Sequence, residues 1–192
     1  TPLFERYIYD AEMLTAAGFL QDEWQLSEAT KLIAGARYTQ VESELNETDD
    51  PDITSVLSET DSADGNLAFS LGCVHSVRDG FTLRASYSQG YRHPNLVELY
   101  TGAPAHGGTG ARAGNADLEP ETSQSFEIGA LHQGQRLALD IALFYTEADN
   151  YITTDATQFI NVGGAETVGG ELSAEYRLDG GFTPYATLTL LD

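Results

Sequence analysis

The sequence predicts an all-β fold, an antiparallel meander of about eight strands, on three observations. Side-chain polarity alternates with period two along most of the chain. Short turn-forming connections alternate with long ones. Charged residues collect on one parity of the strands.

The strands follow in order. A dyad runs through Ala16–Leu26 and Lys31–Val41, joined by the short connection Ser27–Thr30. Leu67, Phe69, Leu71 and Cys73 then alternate with Asn66, Ala68, Ser70 and Gly72, and Arg78-Asp79-Gly80 supplies the turn. Phe81, Leu83, Ala85, Tyr87 and Tyr91 take one parity, and Thr82, Arg84, Ser86, Ser88 and Arg92 the other. In an extended strand such sets point to opposite faces. The pattern resumes at Ser125–Gln133, turns at Gln133-Gly134-Gln135, and returns with Leu137, Leu139, Ile141, Leu143 and Tyr145. Leu172, Ala174, Tyr176 and Leu178 form the next apolar row, and Asp179-Gly180-Gly181 leads into Phe182–Leu190. The long connections are Glu42–Gly65, His93–Thr122 and Glu147–Thr167, so short and long ends segregate to opposite edges of the sheet. The chain stops at Leu190-Leu191-Asp192 in the middle of a strand-like pattern, and it reads as an internal fragment.

Composition narrows the class. The 192 residues carry a net charge of -21, with 41% hydrophobic residues and 20% charged ones. That is too apolar for an acidic disordered tail, and the acidic excess repels phosphate backbones, which argues against nucleic-acid binding. A lone thiol, Cys73, excludes an internal disulfide framework and a multi-cysteine zinc site. No apolar stretch approaches the ~20 residues of a membrane-spanning helix.

Two architectures fit an antiparallel meander. A soluble sandwich has no reason to keep every long loop at one edge, whereas an outer-membrane barrel has short periplasmic turns and long external loops. Arg84, Glu127, Arg136, Asp140, Glu171, Glu175 and Arg177 all sit on the non-apolar parity. A charge facing lipid at mid-membrane costs roughly 2–4 kcal/mol, so a barrel requires this sorting. Trp24 at a short-turn end, with Tyr38 and Tyr91 toward long-loop ends, matches interfacial aromatic girdles. The chain therefore reads as part of a large transmembrane β-barrel.

Local motifs sharpen this. Gly90-Tyr91-Arg92-His93-Pro94-Asn95-Leu96-Val97-Glu98-Leu99 is followed by Gly114-Asn115-Ala116-Asp117-Leu118-Glu119-Pro120-Glu121 and then by Phe126-Glu127-Ile128-Gly129. This set resembles the β-barrel of TonB-dependent outer-membrane receptors. Gln21-Asp22-Glu23-Trp24 with Gly35-Ala36-Arg37-Tyr38 is similar to an earlier hairpin of those barrels. Leu143-Phe144-Tyr145 through Asn150-Tyr151-Ile152 resembles a strand entering the next external loop, and Asn161-Val162-Gly163 with Gly169-Gly170-Glu171-Leu172 its return. His93 departs from the family, which more often carries a small residue there.

The resemblance implies a partial barrel domain over residues 1–192, without the plug domain or the closing strands. It implies a bacterial outer-membrane location, contact with outer-membrane lipid, coupling to TonB through the missing plug region, and active uptake of a scarce nutrient. Iron–siderophore complexes are the commonest ligands of such receptors, with cobalamin, haem and carbohydrates as alternatives. A soluble secreted β-sandwich binding module, and an outer-membrane porin or enzyme, are the competing readings. No nucleophile–base–acid spacing, HExxH motif or cofactor cradle stands out, so neither catalysis nor a bound cofactor or metal is expected.

Gly90, Tyr91, Arg92, Pro94, Asn95, Glu98, Asn115, Leu118, Pro120 and Glu121 are read as loop architecture. Pro94 and Pro120 lack an amide donor and mark where pairing stops, and Arg92 and Glu121 are brought together if the loop folds back on the rim. Arg37, Arg84, Arg92 and Arg136 have the parity to face the lumen and are the substrate-binding candidates. The acidic tract Glu42–Asp64 is read as a solvated external loop, with hard-cation binding as the alternative. Gly107–Gly114 is read as a flexible loop tip, and Cys73 with His75 as an inert thiol beside an interfacial histidine.

Overall fold

Residues 9–48, 61–101 and 113–192 are described by a computed structural model. Alternating polarity becomes ten strands: β1 (Tyr9–Gln25), β2 (Thr30–Thr48), β3 (Asp61–Arg78), β4 (Phe81–Arg92), β5 (Glu121–Gln133), β6 (Leu137–Asp149), β7 (Tyr151–Thr154), β8 (Phe159–Val162), β9 (Ala165–Tyr176) and β10 (Tyr185–Leu191). A five-residue helix, α1 (Leu96–Tyr100), follows β4. Eight strands form one antiparallel sheet in the order β1-β2-β3-β4-β5-β6-β9-β10, and β7-β8 form a separate hairpin. The sheet is open, with β1 and β10 at its edges. The short connections fall where turn chemistry places them, and Gly80 takes φ +72° between β3 and β4, a conformation that favours glycine.

Register explains the sorting of side chains. One cross-strand row runs Trp24, Leu32, Cys73, Ala85, Ile128, Leu143, Gly170 and Leu190 without interruption. The row beside it, on the opposite face, runs Gln25, Lys31, Val74, Arg84, Gly129, Ala142, Glu171 and Thr189. Parity is preserved along these rows, the register shifts falling at ladder ends, between Asp10 and Ala11 and between Ser76 and Arg78, and one slip within them would invert the faces of a whole strand. The apolar rows are not covered: Ile128 is 60% and Leu143 55% exposed. Among the described residues no second layer packs on them, which argues against the sandwich and leaves a surface suited to hydrocarbon. Asp22 is a charged residue on this face, one rung from Trp24, and its carboxylate accepts from the Glu23 amide at 2.9 Å.

The outward parity also marks where the bilayer ends. On β6 it is apolar from Leu137 to Tyr145 and becomes charged at Glu147. This is about nine residues, the length a tilted transmembrane strand needs. On β2 it changes after Tyr38, through Gln40 to Glu42 and Glu44.

Two long connections differ from the sequence reading. The tract Glu42–Asp64 is not all loop: β2 continues to Thr48 and β3 begins at Asp61, with Glu42 paired to Ala63 and Glu44 to Asp61. Outside the apolar layer, alternating glutamates simply project into water while the backbone keeps its ladder. Asp49, Asp50, Asp52 and Glu59 lie outside the described residues. The segment Glu147–Thr167 likewise carries structure. β6 runs to Asp149, β9 starts at Ala165, and Asn161-Val162 belongs to the intervening hairpin rather than to the return strand.

The hydrophobic core lies at the long-loop end rather than between sheets. Leu45, Leu99, Tyr100, Leu118 and Ile152 are buried together, with Ala11, Leu96, Ala116 and Phe159 packed around them. Leu45 shares its parity with Val41 and Ser43, on the polar face of β2, so the connection after β4 folds over that face and forms a cap.

Candidate functional site

The cap is held by an ionic clamp built from consecutive motif positions. β4 ends at Arg92, and Pro94, fully buried and without an amide hydrogen, ends the pairing. Asn95 caps α1: its Oδ1 accepts from the amides of Val97 (2.9 Å) and Glu98 (3.0 Å), while Glu98 Oε2 accepts from the Asn95 amide (2.8 Å). This is a reciprocal capping box. Glu98 also accepts from Arg92 Nη1 at 2.8 and 3.1 Å. On the other side of the guanidinium, Glu121 accepts from Nε at 2.6 Å and from Nη2 at 2.8 Å, and its Oε1 takes the Ile152 amide at 2.7 Å. One arginine thus joins β4, α1, β5 and the start of β7.

The Glu98 and Glu121 side chains are only 13% and 17% exposed, against 43% for Arg92. Hydrogen bonding to Arg92 is the main cause holding the Glu121 carboxyl below its ordinary range; desolvation opposes it, and the Ile152 amide assists. The same bonds raise the proton affinity of Arg92 further, Glu121 contributing most.

The second motif segment is stitched in by amides. The Asn115 amide donates to the Glu98 carbonyl (2.8 Å), and its side chain donates to the Phe159 carbonyl (3.1 Å). Asn161 Nδ2 donates to the carbonyls of Glu119 (2.9 Å) and Asn150 (2.7 Å), and its Oδ1 accepts from the Glu119 amide (2.8 Å). At Gly114 a β-carbon would lie 2.7 Å from the Leu99 carbonyl and the Thr101 amide, so glycine is required for this close approach. Leu118 fills the core, Pro120 precedes β5, and Gly90 lies against the Ser123 side chain. Tyr100 completes the cap by donating to the Ser43 carbonyl at 3.2 Å.

His93, directly after β4, is half-buried. Among the described residues neither ring nitrogen has a hydrogen-bond partner, and burial pushes its proton affinity down, partly opposed by Asp64. The neighbouring Tyr91 hydroxyl is also buried.

The four arginine candidates separate clearly. Arg84 lies between Glu127 (3.2 Å) and Asp140 (2.8 Å) on the polar face. Arg92 is the clamp. Arg136 binds Asp179 at 2.9 Å and belongs to the short-turn end, just before β6. Arg37 meets no carboxylate among the described residues; its Nε donates to Thr39 Oγ1 at 3.2 Å. His75 Nδ1 is bonded to Thr30 Oγ1 at 2.9 Å, not to Cys73. Of the glycine run, residues 107–112 lie outside the described residues.

Glu98 as the second partner of Arg92, and Asn150, Asn161 and Tyr100 as cap ties, were not anticipated from the sequence. The Asn95-x-x-Glu98 spacing is a helix-start signal that finds the first. The others rest on contacts between distant segments and carry no local signal. Chemically the arrangement is a scaffold: a polar wall whose external end carries a rigid cap.

The sequence matches, over residues 2–192, the family described as TonB dependent receptor-like, beta-barrel. It is similar to the iron-regulated outer membrane virulence protein of Vibrio cholerae, 26% identical over 173 residues, covering 81% of this chain and 24% of that protein. The chain thus spans about a quarter of the length of the curated relatives it matches. Among solved structures it is similar to the copper transporter OprC, with TM-score 0.78 and 23% identity, covering 95% of this chain and 28% of that one. It is also similar to the ferric yersiniabactin uptake receptor FyuA from Yersinia pestis, with TM-score 0.62 and 21% identity, covering 94% and 26%. These two likenesses are of fold.

Proposed function

The chain belongs to the TonB-dependent receptor β-barrel family, and from that premise we propose that it forms part of the barrel of a receptor that imports a scarce nutrient, an iron–siderophore complex above all. The family places the domain in the bacterial outer membrane, and its members are receptors and transporters rather than enzymes. The carrying observation is sidedness. Uncovered apolar rows face outward, a polar wall holds Arg84 with its carboxylates inward, and the cap folds over the external end of that wall.

In the intact receptor a plug domain and further strands complete the barrel. Both edges of this open sheet present unpaired backbone groups that hydrocarbon cannot satisfy, which supports that reading. Ligand meets the external loops and the polar wall, and TonB acts through the plug. The iron regulation named for the curated relative and the ferric yersiniabactin named for FyuA favour an iron chelate as cargo.

The test is uptake of radioactive ferric siderophores by cells expressing the full-length receptor under iron limitation, with and without TonB. Accumulation that needs both proteins is expected. Accumulation of copper in place of iron, or uptake unchanged without TonB, overturns the proposal.

A further inference from the structure

At the short-turn end of the apolar face, register puts a charge where alternation alone would not. Ser76 pairs with Thr82 on the polar parity, but the next pair is Arg78 with Phe81, because the ladder shifts by one residue at Val77. A shift of this kind re-aims a side chain, and here it turns Arg78 onto the outward face. The guanidinium carbon stands over the Phe81 ring, 6.0 Å from its centroid. His132 of β5 lies directly across from Phe81, and His75, opposite Leu83, is the next residue of that face along β3. Lys31, Arg136 and Arg177 belong to the same end but sit on the polar parity, where they hold Glu23, Asp179 and Glu175. Among the described residues Arg78 has no carboxylate within ion-pair distance, although Asp79 follows it in the turn. β3, β4 and β5 are interior strands, flanked by β2 and β6, so the exposure of this patch does not come from an open edge of the sheet.

Toward mid-membrane from this row lies an open groove of about 430 Å³, bordered by Cys73, His75, Leu83, Ala85, Ile128 and Ala130 among others. The short side chains of Cys73, Ala85 and Ala130 leave the space that Leu83 and Ile128 border. His75 belongs both to the groove and to the basic group. Thr30 Oγ1 holds its Nδ1 at 2.9 Å, which leaves Nε2 for a further partner.

An apolar groove that ends at an arginine and two imidazoles matches an amphiphile with a hydrocarbon chain and an anionic head. The short turns of a barrel are periplasmic, so that amphiphile is a lipid of the periplasmic leaflet. A guanidinium takes phosphate oxygens in its fork, and basic residues at a membrane surface attract anionic lipid. Without a carboxylate beside Arg78, the ammonium of a zwitterionic headgroup finds no partner, which favours a head with net negative charge.

We propose that Arg78, with His75 and His132, binds the phosphate of one anionic phospholipid of the periplasmic leaflet, whose acyl chain lies in the groove beside Leu83. The site rests on the outer-membrane placement of the family and is independent of the cargo.

The experiment is native mass spectrometry of the delipidated full-length receptor, titrated with phosphatidylglycerol, with phosphatidylethanolamine, or with glycerophosphoglycerol, the headgroup without its chains. The expected result is one phosphatidylglycerol held about fivefold more tightly than phosphatidylethanolamine, the effect of one basic residue at a lipid surface, with no binding of the bare headgroup. Arg78→Gln should remove the preference, Arg78→Lys should keep most of it, and Arg177→Gln, at the same end but on the polar face, should leave it unchanged. Leu83→Trp, which fills the groove, should weaken both lipids. Equal affinity of the unaltered receptor for the two lipids, or a preference that survives Arg78→Gln, overturns the site. Equal loss in Arg177→Gln reduces it to the general field of that end, and bare headgroup bound as tightly as the lipid makes it a phosphate site; either result overturns the proposal.

Discussion

Replacing Arg92 by glutamine in the intact receptor removes the two-sided contacts to Glu98 and Glu121. Each carboxylate keeps one backbone partner, the amides of Asn95 and Ile152. Breaking a fully buried pair costs about 3–5 kcal/mol, and an exposed pair contributes about 0–1. Here the carboxylates are mostly shielded while 43% of the guanidinium side chain meets solvent, so a cost of about 2 kcal/mol is expected. It falls on the cap and not on the barrel ladders, because every group involved lies at or beyond the end of β4.

Hydrogen exchange on the detergent-solubilised receptor reads it directly. The amides of Leu99 and Thr101, bonded to the carbonyls of Asn95 (3.0 Å) and Val97 (3.2 Å), should exchange about 30-fold faster, while wall amides such as Ile128 keep their protection. Unchanged exchange at Leu99 and Thr101, or equal acceleration at Ile128, refutes the assignment of the clamp to the cap.

Acid should loosen the same cap in two steps. His93 is held below its ordinary 6.5 by burial, so the folded cap refuses a proton that the opened cap accepts; its stability is complete above that value and declines as pH falls through it. Glu121 is held below its ordinary 4.5, so its contribution is complete above that value and is lost at still lower pH. Exchange of the Leu99 amide against pH should show both steps, and His93→Ala should remove only the first. Leu99→Ala should destabilise the cap by about 2–3 kcal/mol, and Tyr100→Phe, which leaves the buried Ser43 without its donor, by about 1 kcal/mol; both are read by the same exchange. Leu172→Arg should cost about 2–4 kcal/mol of membrane-inserted stability while Ser173→Arg, adjacent but on the polar face, costs under about 0.5 kcal/mol, measured by reversible unfolding in detergent or lipid.

Much of the wall is legible in the sequence because its physics is local. A strand that meets hydrocarbon on one face and polar groups on the other must alternate, and Leu137–Tyr145 and Phe81–Tyr91 do so without help from distant residues. Pro94 and Pro120 mark the loop boundaries for an equally local reason, the missing amide. The continuation of β2 through Glu42 and Glu44 is harder to see, because a run of acids resembles a solvated loop when the buried partners Val41, Ser43 and Leu45 are not weighed between them. The cap is the least legible part. Its core draws Leu45, Leu99, Leu118 and Ile152 from four separate segments, so its packing rests on contacts between residues far apart in the chain.

The central claim is that one parity of each strand faces lipid. Spin labels placed singly at Ala138, Leu139, Asp140, Ile141 and Leu143 of the full-length receptor in bilayers, with Cys73 replaced by serine, test it most directly. Leu139, Ile141 and Leu143 should be accessible to oxygen dissolved in the membrane, and Ala138 and Asp140 protected from it. Uniform accessibility along β6, or the reverse alternation, contradicts the account.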